Sequence, residues 1–285
     1  MMLCCPSTTD NKVTKKELSK ALHDAVAAAK EGSSSSNAEL SILSEDRYEE
    51  ILDVFVDAFQ KDPMVSYLVN LGDDVNKFDD KQKELFKVYS RAFLGWVQRV
   101  VMKRQKGFTL GALKDDDNNN NNKKKKRVVG AISIVPSGQP YMTICDMISN
   151  SFEISMPTMD RKTKREYGPY AAERLMALSI VDEKRKEIMM NHEQRRRYIF
   201  VQVVGVLTSC HGQKIGSKML RLLMNVADSL EAYMYLETES LENESMYKHF
   251  GFYTQETVDV SVEKDTSTGS NTSLRMYLMI RDPKV

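Results

Sequence analysis

The stretch that most constrains the fold is residues 198–230, where an apolar run meets a glycine-bearing turn and then a segment of helical period. YIFVQVVGV (198–206) is rich in β-branched residues and predicts a buried strand. HGQKIG (211–216) predicts a turn. The segment after it predicts an amphipathic helix, whose inward positions are Met219, Leu220, Leu223, Val226, Ala227 and Leu230. Unpaired backbone N–H groups and the helix dipole converge where such a helix begins, so this turn is able to hold a phosphate.

The turn matches neither of two familiar nucleotide-binding patterns. A dinucleotide-binding turn needs G-x-G-x-x-G with an acidic residue about 20 positions later, and a P-loop needs G-x-x-x-x-G-K-[ST]. Only Gly212 and Gly216 are present, with Lys214 between them. From the turn alone, a generic anion site and a purely structural helix start therefore remain equally open.

Other segments predict a mixed α/β order around one sheet. Helices are predicted from about Glu45 to the stop at Pro63 and from about Asp79 to Met102, and polar residues 141–197 are expected to be helical in two pieces. GFTLGAL and RVVGAISIVP predict neighbouring strands, and YMYLETE predicts another. NESMYKHFGF predicts a short helix, followed by strands at about 254–263 and 273–281.

The domain organisation follows from composition. Residues 1–38 are expected to form a flexible N-terminal extension, because the amphipathic candidate KKELSKALHDAVAAAK is followed by the serine-rich EGSSSSN. One folded domain is expected over residues 39–285. KDDDNNNNNKKKK within it has no apolar side chain to bury, so residues 115–126 are expected to form a disordered hairpin loop.

Charge and cysteine content disfavour several classes of protein. The 41 Lys and Arg residues almost balance 40 Asp and Glu residues, so no global field attracts nucleic acid or an anionic membrane. No apolar run reaches the roughly 18 residues of a membrane span, and MMLCCPSTTD lacks the pattern of a secretory signal. The four cysteines, at 4, 5, 145 and 210, match neither a zinc site nor a disulfide framework. We therefore expect free thiols, a cytoplasmic location and no bound metal.

Two segments together resemble a known family. VVGVLTSCHGQKIGSKML followed by LETESLENESMYKHFGF resembles the core of the GCN5-related N-acetyltransferases. FVDAFQKDPMVSYLV and VVGAISIVPSG resemble the first helix and the central strand of its members, so the resemblance covers about residues 40–281. It implies a three-layer α/β fold with a mixed, mostly antiparallel central sheet flanked by helices. In that family a Q/R-x-x-G-x-G/A turn binds the pyrophosphate of acetyl-CoA. Here His211 stands at the Q/R position and Lys214 at the first glycine.

The resemblance implies transfer of the acetyl group of acetyl-CoA to a primary amine by direct attack, with no metal. Tyr247 is implied as the general acid that protonates the leaving thiolate. Glu237 is a candidate general base, and Glu239 shares its strand parity. The backbone at the strand end, the turn and the later helix are implied to hold the cofactor, through Val204, Gly205, Val206, His211, Gly212, Gln213, Lys214, Ile215, Gly216, Ser217, Asn243 and Tyr247.

The departures at His211 and Lys214 leave a second interpretation open. A degenerate member that binds acetyl-CoA or CoA as a sensor or scaffold, without turnover, fits the same residues. The acceptor amine, whether small molecule or peptide, the general base and the oligomeric state are not specified by the sequence.

Overall fold

The computed structural model describes residues 12–31, 38–69, 71, 75–115, 126–139, 168–262 and 273–284, with the side chains of 168–172 left out. Within these residues, seven strands form one sheet. They are β1 (Glu39–Leu43), β2 (Phe108–Asp115), β3 (Lys126–Pro136), β4 (Tyr198–Val206), β5 (Tyr233–Thr238), β6 (Tyr253–Val260) and β7 (Leu274–Arg281).

The helices within the described residues are α1 (Lys15–Glu31), α2 (Tyr48–Ala58), α3 (Pro63–Leu68), α4 (Asp80–Arg99), α5 (Gly168–Ala177), α6 (Ser179–Arg185), α7 (Ile215–Ser229) and α8 (Leu241–His249). Helix α4 begins with a capping box, in which Asp79 and Gln82 each accept a hydrogen bond from the other's backbone. It continues as a π-helical turn over Val100–Arg104, and α6 continues in the same way over Lys186–Met190.

The strand order in the sheet is β1-β2-β3-β4-β5-β7-β6. Every neighbouring pair is antiparallel except β4 and β5, which run parallel from Tyr198 opposite Tyr233 to Val201 opposite Leu236. The crossover between these two parallel strands is α7. This arrangement confirms the predicted mixed, mostly antiparallel sheet flanked by helices.

Helices cover both faces of the sheet, and the two faces bury separate clusters of side chains. On one face α1, α7 and α8 pack over Ile199 and Val201 of β4. On the other face α3 to α6 pack over Tyr198 and Phe200, and α2 packs with α4 over Val203. Alternate residues of β4 thus serve opposite layers, as the pleat of a strand requires.

The N-terminal helix differs from the flexible extension expected over residues 1–38. Leu18 and Leu22 of α1 are fully buried against α7 and β1, and the backbone N–H of Val13 donates to Ser137 Oγ at 3.0 Å. Residues 12–31 are therefore part of the folded domain. The reason is that the apolar stripe of α1 packs on α7 and β1, surfaces that no local pattern identifies.

Two predicted segments fall partly outside the described residues. Asp115 and Lys126, the ends of the predicted hairpin loop, face each other as the last pair of β2 and β3, and residues 116–125 lie outside the description. Of the region 141–197, helices α5 and α6 are described and residues 141–167 are not.

Candidate active site

The centre of the candidate site is a splay between β4 and β5. Their ladder ends at Val201 opposite Leu236, after which β5 pairs only with β7 and β4 continues to Val206 paired only with β3. Within the described sheet, the β5-facing backbone edge of residues 202–206 has no strand partner. An open edge of this kind presents N–H and C=O groups to whatever enters the gap.

A β-bulge reshapes β4 at the same point. Val201 faces Ile134 of β3 and Val203 faces Ser133, so Gln202 is an extra residue without a partner in that ladder. The bulge resets the alternation of the strand. Val203 packs on the layer of α2 and α4, whereas Val204 and Val206 pack against the layer of α1 and α7.

Gly205 lies in this open segment and is required by the packing of α2. A Cβ atom at Gly205 would lie 2.9 Å from Phe55 Cδ1 and 3.2 Å from Ala58 Cβ. Glycine therefore lets α2 approach β4 closely, directly beside the open backbone edge. The three predicted strand residues, Val204, Gly205 and Val206, are all in the gap.

The predicted turn connects the open end of β4 to the start of α7. Gly212 has a φ of +76° and Lys214 has a φ of 58° and a ψ of 18°, so both adopt the left-handed conformation. His211, Gly212, Gln213 and Lys214 are exposed residues. Among the described residues no side chain caps the N-terminus of α7. The first N–H groups of a helix have no partner within the helix, so this turn is suited to bind an anion.

Neighbouring elements hold the turn in place. Asp57 of α2 accepts hydrogen bonds from the backbone N–H of Thr208 at 2.5 Å and from Thr208 Oγ1 at 3.2 Å. The His211 ring lies 3.3 Å, through Nε2, from the carbonyl oxygen of Val206, and Lys114 donates to Gln213 Oε1. Ile215 is buried, and Gly216 and Ser217 are half-buried in the first turn of α7.

The two predicted residues on α8 differ in their surroundings. Asn243 is exposed, and its backbone N–H donates to the cap residue Ser240 at 3.2 Å. Tyr247 is buried, with its ring edge-on to Phe252 at a centroid distance of 5.7 Å. Burial, together with the negative charge of Glu239, holds the pKa of Tyr247 well above its usual value. Its hydroxyl is protonated at neutral pH, as an ordinary tyrosine hydroxyl also is, and the raised pKa makes it hold that proton more tightly.

Glu237 lies directly after the last β4–β5 pair and is part of a buried ionic cluster. Its Oε1 atom lies 3.2 Å from Arg185 Nη1 and accepts a hydrogen bond from Tyr235 Oη at 2.9 Å. Arg185 also pairs with Asp182 and lies over the ring of Phe200, 4.4 Å from its centroid. Burial raises the pKa of Glu237, and the charge of Arg185 opposes that rise.

The carboxyl groups of Asp62 and Glu239 interact electrostatically although 177 positions separate them in the chain. Asp62 caps α3, accepting from the backbone N–H of Val65 at 3.1 Å. Burial raises the pKa of Asp62 to about 6. Burial, reinforced by the charge of Asp62, holds the pKa of Glu239 well above its usual range. Sequence reasoning missed Asp62, whose one signal is its place as a cap before Pro63 in KDP.

The structure thus joins Val204 to Val206 directly to the turn, and Glu239 interacts electrostatically with both Tyr247 and Asp62. Within the described ranges, no group of three or more His, Cys, Asp or Glu side chains is arranged to hold a metal ion. Nor does any described helix have the length and apolar character needed to cross a bilayer.

The fold and the site define an α/β protein with a splayed sheet beside a glycine turn. Comparisons with known proteins agree with the resemblance found in the sequence. No family model matches the chain. An uncharacterized N-acetyltransferase of Schizosaccharomyces pombe is 25% identical over 107 residues, a match that covers 38% of this chain and 40% of that protein. The matched region therefore spans less than half of the relative's length. This similarity confirms the predicted resemblance to N-acetyltransferases.

Solved structures of two acetyltransferases align with most of the chain at low identity. Arylalkylamine N-acetyltransferase 2 from Aedes aegypti is 11% identical, with 87% of this chain and 100% of that chain covered and a TM-score of 0.49. A polyamine N-acetyltransferase from Drosophila melanogaster is 11% identical, with 86% and 99% covered and a TM-score of 0.47. Likenesses at this level assign no activity to this chain.

Proposed function

We propose that this protein is an N-acetyltransferase that transfers the acetyl group of acetyl-CoA to a primary amine. The observation that carries the proposal is the splay of β4 from β5, which leaves the backbone edge of residues 202–206 open just before the uncapped start of α7. The name of the Schizosaccharomyces pombe relative supports it.

The residues present fit acetyl-CoA. The N–H groups of the turn from His211 to Ser217 suit the pyrophosphate, and the exposed ammonium of Lys214 adds a positive charge beside it. The open edge of Val204 to Val206 suits an extended, amide-bearing arm, because such an arm can pair with it as a strand would. Asn243 is exposed on the first turn of α8, and we propose it as a further polar contact for the cofactor.

When bound, acetyl-CoA supplies a thioester whose carbonyl carbon bonds to the amine nitrogen as the carbon–sulfur bond breaks, leaving a thiolate. Tyr247 is the proposed donor of the proton to that sulfur, because its hydroxyl stays protonated at neutral pH. Backbone N–H groups of the open β4 edge are the proposed donors to the carbonyl oxygen, where negative charge develops.

The amine nitrogen gives up a proton, which requires an acceptor near the gap. Glu239 and Asp62 suit this part, because burial raises the pKa of both carboxyl groups, to about 6 for Asp62, which makes each a stronger proton acceptor than an ordinary carboxylate. Glu237 is the base candidate from the sequence. Its Oε1 atom already forms an ion pair with Arg185 and accepts a hydrogen bond from Tyr235. We therefore propose that Glu237 positions the amine and sets the charge of Glu239.

Two measurements test the proposal. Acetyl-CoA that binds only the folded state is expected to raise the melting temperature with concentration. Release of free thiol in the presence of a panel of primary amines is expected to exceed the rate without protein. A flat thermal titration to millimolar acetyl-CoA contradicts the assignment. Binding without thiol release from any amine favours the non-catalytic sensor or scaffold instead.

A further inference from the structure

A polar cavity lies at the end of β4 that is remote from the splay, where β4 begins and β3 ends. It contains about 620 Å³ of space free of protein atoms, some of it open to solvent. The described residues that line it come from three separate parts of the chain, and they are Lys12, Ser137, Met190, Arg196 and Tyr198. Tyr198 is the first residue of β4, so the cavity lies roughly 25 Å along this strand from the end that leads into the glycine turn.

Three hydrogen bonds fix the backbone at Lys12 to this end of the sheet. The N–H of Val13 donates to Ser137 Oγ at 3.0 Å, and the N–H of Gly138 donates to the carbonyl oxygen of Val13 at 2.8 Å. Arg197 Nη1 donates to the carbonyl oxygen of Lys12 at 3.2 Å. The segment that precedes α1 is therefore held at the cavity, where the ammonium group of Lys12 supplies a positive charge.

Arg196 supplies a second positive charge, and one of its nitrogen atoms fixes the position of the side chain. Its Nε donates to the carbonyl oxygen of Met190 at 3.0 Å. Arg196 is half-buried, and its two Nη groups have no hydrogen bond or ion pair with any described residue. A guanidinium group that is anchored through Nε keeps the paired Nη donors available for an oxyanion, whose geometry they match.

The hydroxyl group of Tyr198 is a third donor in the wall of the cavity. Tyr198 is 6% exposed, and its backbone N–H donates to Ser137 Oγ at 3.2 Å. Its hydroxyl has no hydrogen-bond partner among the described residues, yet the oxygen is not one of the polar atoms that neighbouring atoms enclose completely. Polar groups of buried residues are nearly always hydrogen-bonded, so this hydroxyl indicates that the cavity holds an acceptor.

The charges around the cavity favour an anion as that acceptor. Lys12 and Arg196 give the cavity two positive charges, and none of the described residues that line it is Asp or Glu. Glu17, in the first turn of α1, is already paired with Arg197 at 3.0 Å. Water would satisfy the hydroxyl of Tyr198, but it would leave the two cations without a counterion in the cavity.

We propose that this cavity is a second ligand site, separate from the cofactor site, and that it binds a phosphate dianion. The Nη groups of Arg196 donate to two of its oxygens, and the hydroxyl of Tyr198 and the ammonium of Lys12 donate to the others. A phosphate group carries close to two negative charges at neutral pH, which matches the two cations, whereas a carboxylate carries one. Inorganic phosphate and a phosphate monoester share this chemistry. Either ligand joins the segment before α1 to the start of β4.

Titration of the full chain with inorganic phosphate at constant ionic strength tests the proposal. Phosphate that binds only the folded state is expected to raise the melting temperature with concentration, and calorimetry gives its affinity. The glycine turn is also suited to an anion, so each titration is repeated in Lys214→Glu, which places a negative charge in that turn. The affinity for phosphate at the cavity is expected to be the same in Lys214→Glu as in the wild type.

Three variants identify the residues that hold the phosphate. Tyr198→Phe removes one oxygen and keeps the ring, so the melting temperature without phosphate is expected to stay level while the Kd for phosphate rises about fivefold. Arg196→Gln removes a charged donor pair and is expected to raise the Kd by about thirtyfold. Arg195→Gln is the matched control, because Arg195 is also half-buried but is not among the residues that line the cavity. This control is expected to leave the Kd unchanged.

Any of three results overturns the proposal. They are a melting temperature that does not change up to about 20 mM phosphate, binding that Lys214→Glu abolishes and that Tyr198→Phe and Arg196→Gln leave intact, and acetate that binds as tightly as phosphate. Titration with phenyl phosphate separates the two sources of the dianion. Tighter binding of phenyl phosphate than of inorganic phosphate assigns the site to a monoester, and the reverse order assigns it to inorganic phosphate. These titrations contain no acetyl-CoA, so their failure leaves the proposed acetyl transfer unaffected.

Discussion

Replacing Lys214 by glycine is expected to stabilise the fold while weakening acetyl-CoA binding only slightly. Lys214 lies at a φ of 58° and a ψ of 18°, in the left-handed region. That conformation costs a residue with a side chain about 1–2 kcal/mol. Glycine removes this cost but has greater freedom in the unfolded chain, worth about 0.5–1 kcal/mol. The free energy of unfolding is therefore expected to rise by about 0.5–1 kcal/mol in Lys214→Gly.

The effect on acetyl-CoA binding comes from charge. At an exposed position, a unit charge about 4 Å from a phosphate contributes about 1 kcal/mol. Losing the ammonium of Lys214 is therefore expected to raise the Kd for acetyl-CoA by about fivefold. Lys214→Glu reverses the charge and is expected to raise the Kd by about thirtyfold. Salt near 1 M is expected to shrink both differences, because the charges are exposed to solvent.

Calorimetric titration with CoA and denaturant unfolding measure the two effects separately. Glu231→Gly is the matched control, since Glu231 has a φ of 49° at the opposite end of α7. This control is expected to gain similar stability without any change in CoA affinity. Equal affinity of the wild type, Lys214→Gly and Lys214→Glu would show that the side chain does not meet the cofactor. A loss of stability in Lys214→Gly would refute the argument from strain.

Three further outcomes are expected. Tyr247→Phe keeps the ring packing on Phe252, so CoA affinity is expected to stay constant. The rate of thiol release is expected to fall by about ten- to a thousandfold. An unchanged rate would mean that another group protonates the thiolate. Asp62→Asn keeps the cap of α3 but removes a carboxyl whose folded-state pKa burial raises to about 6. The folded state holds that proton more tightly than the unfolded state, so the stability of the wild type falls as pH rises from about 4 to about 7. The melting temperature of Asp62→Asn relative to that of the wild type is therefore expected to rise over this range. A difference in melting temperature that does not vary with pH contradicts the raised pKa. Deleting residues 116–125 and joining Asp115 to Lys126 through Asn-Gly is expected to change the melting temperature little. The reason is that Asp115 and Lys126 already face each other as the last pair of β2 and β3. A large fall in melting temperature would mean that the insert packs on the domain.

Much of the candidate site is predictable from local pattern. The strand YIFVQVVGV, the glycine turn and the amphipathic helix after it lie where the sequence predicts them, as β4, residues 207–214 and α7. Strand and helix periods depend on neighbouring residues alone, so these elements can be recognised without the fold. The positions of Tyr247 on a short helix and of Gly205 in a strand are predictable for the same reason.

Only the tertiary structure decides which of these residues meet. The splay after Val201 depends on how far β5 pairs with β4, and the bulge at Gln202 depends on the register of β3. Such pairings join residues that are distant in the chain, and no period in the sequence encodes them.

The same reason explains the residues that sequence reasoning missed. The charge of Asp62 influences Glu239, and Arg185 pairs with Glu237, because α3 and α6 pack on the layer over β5. The stripe of α1 likewise shows that the helix buries one face, while the identity of α7 as the surface it covers comes from packing alone. Burial and pairing are properties of the assembled layers, which is why the residue types were visible in the sequence and their partners were not.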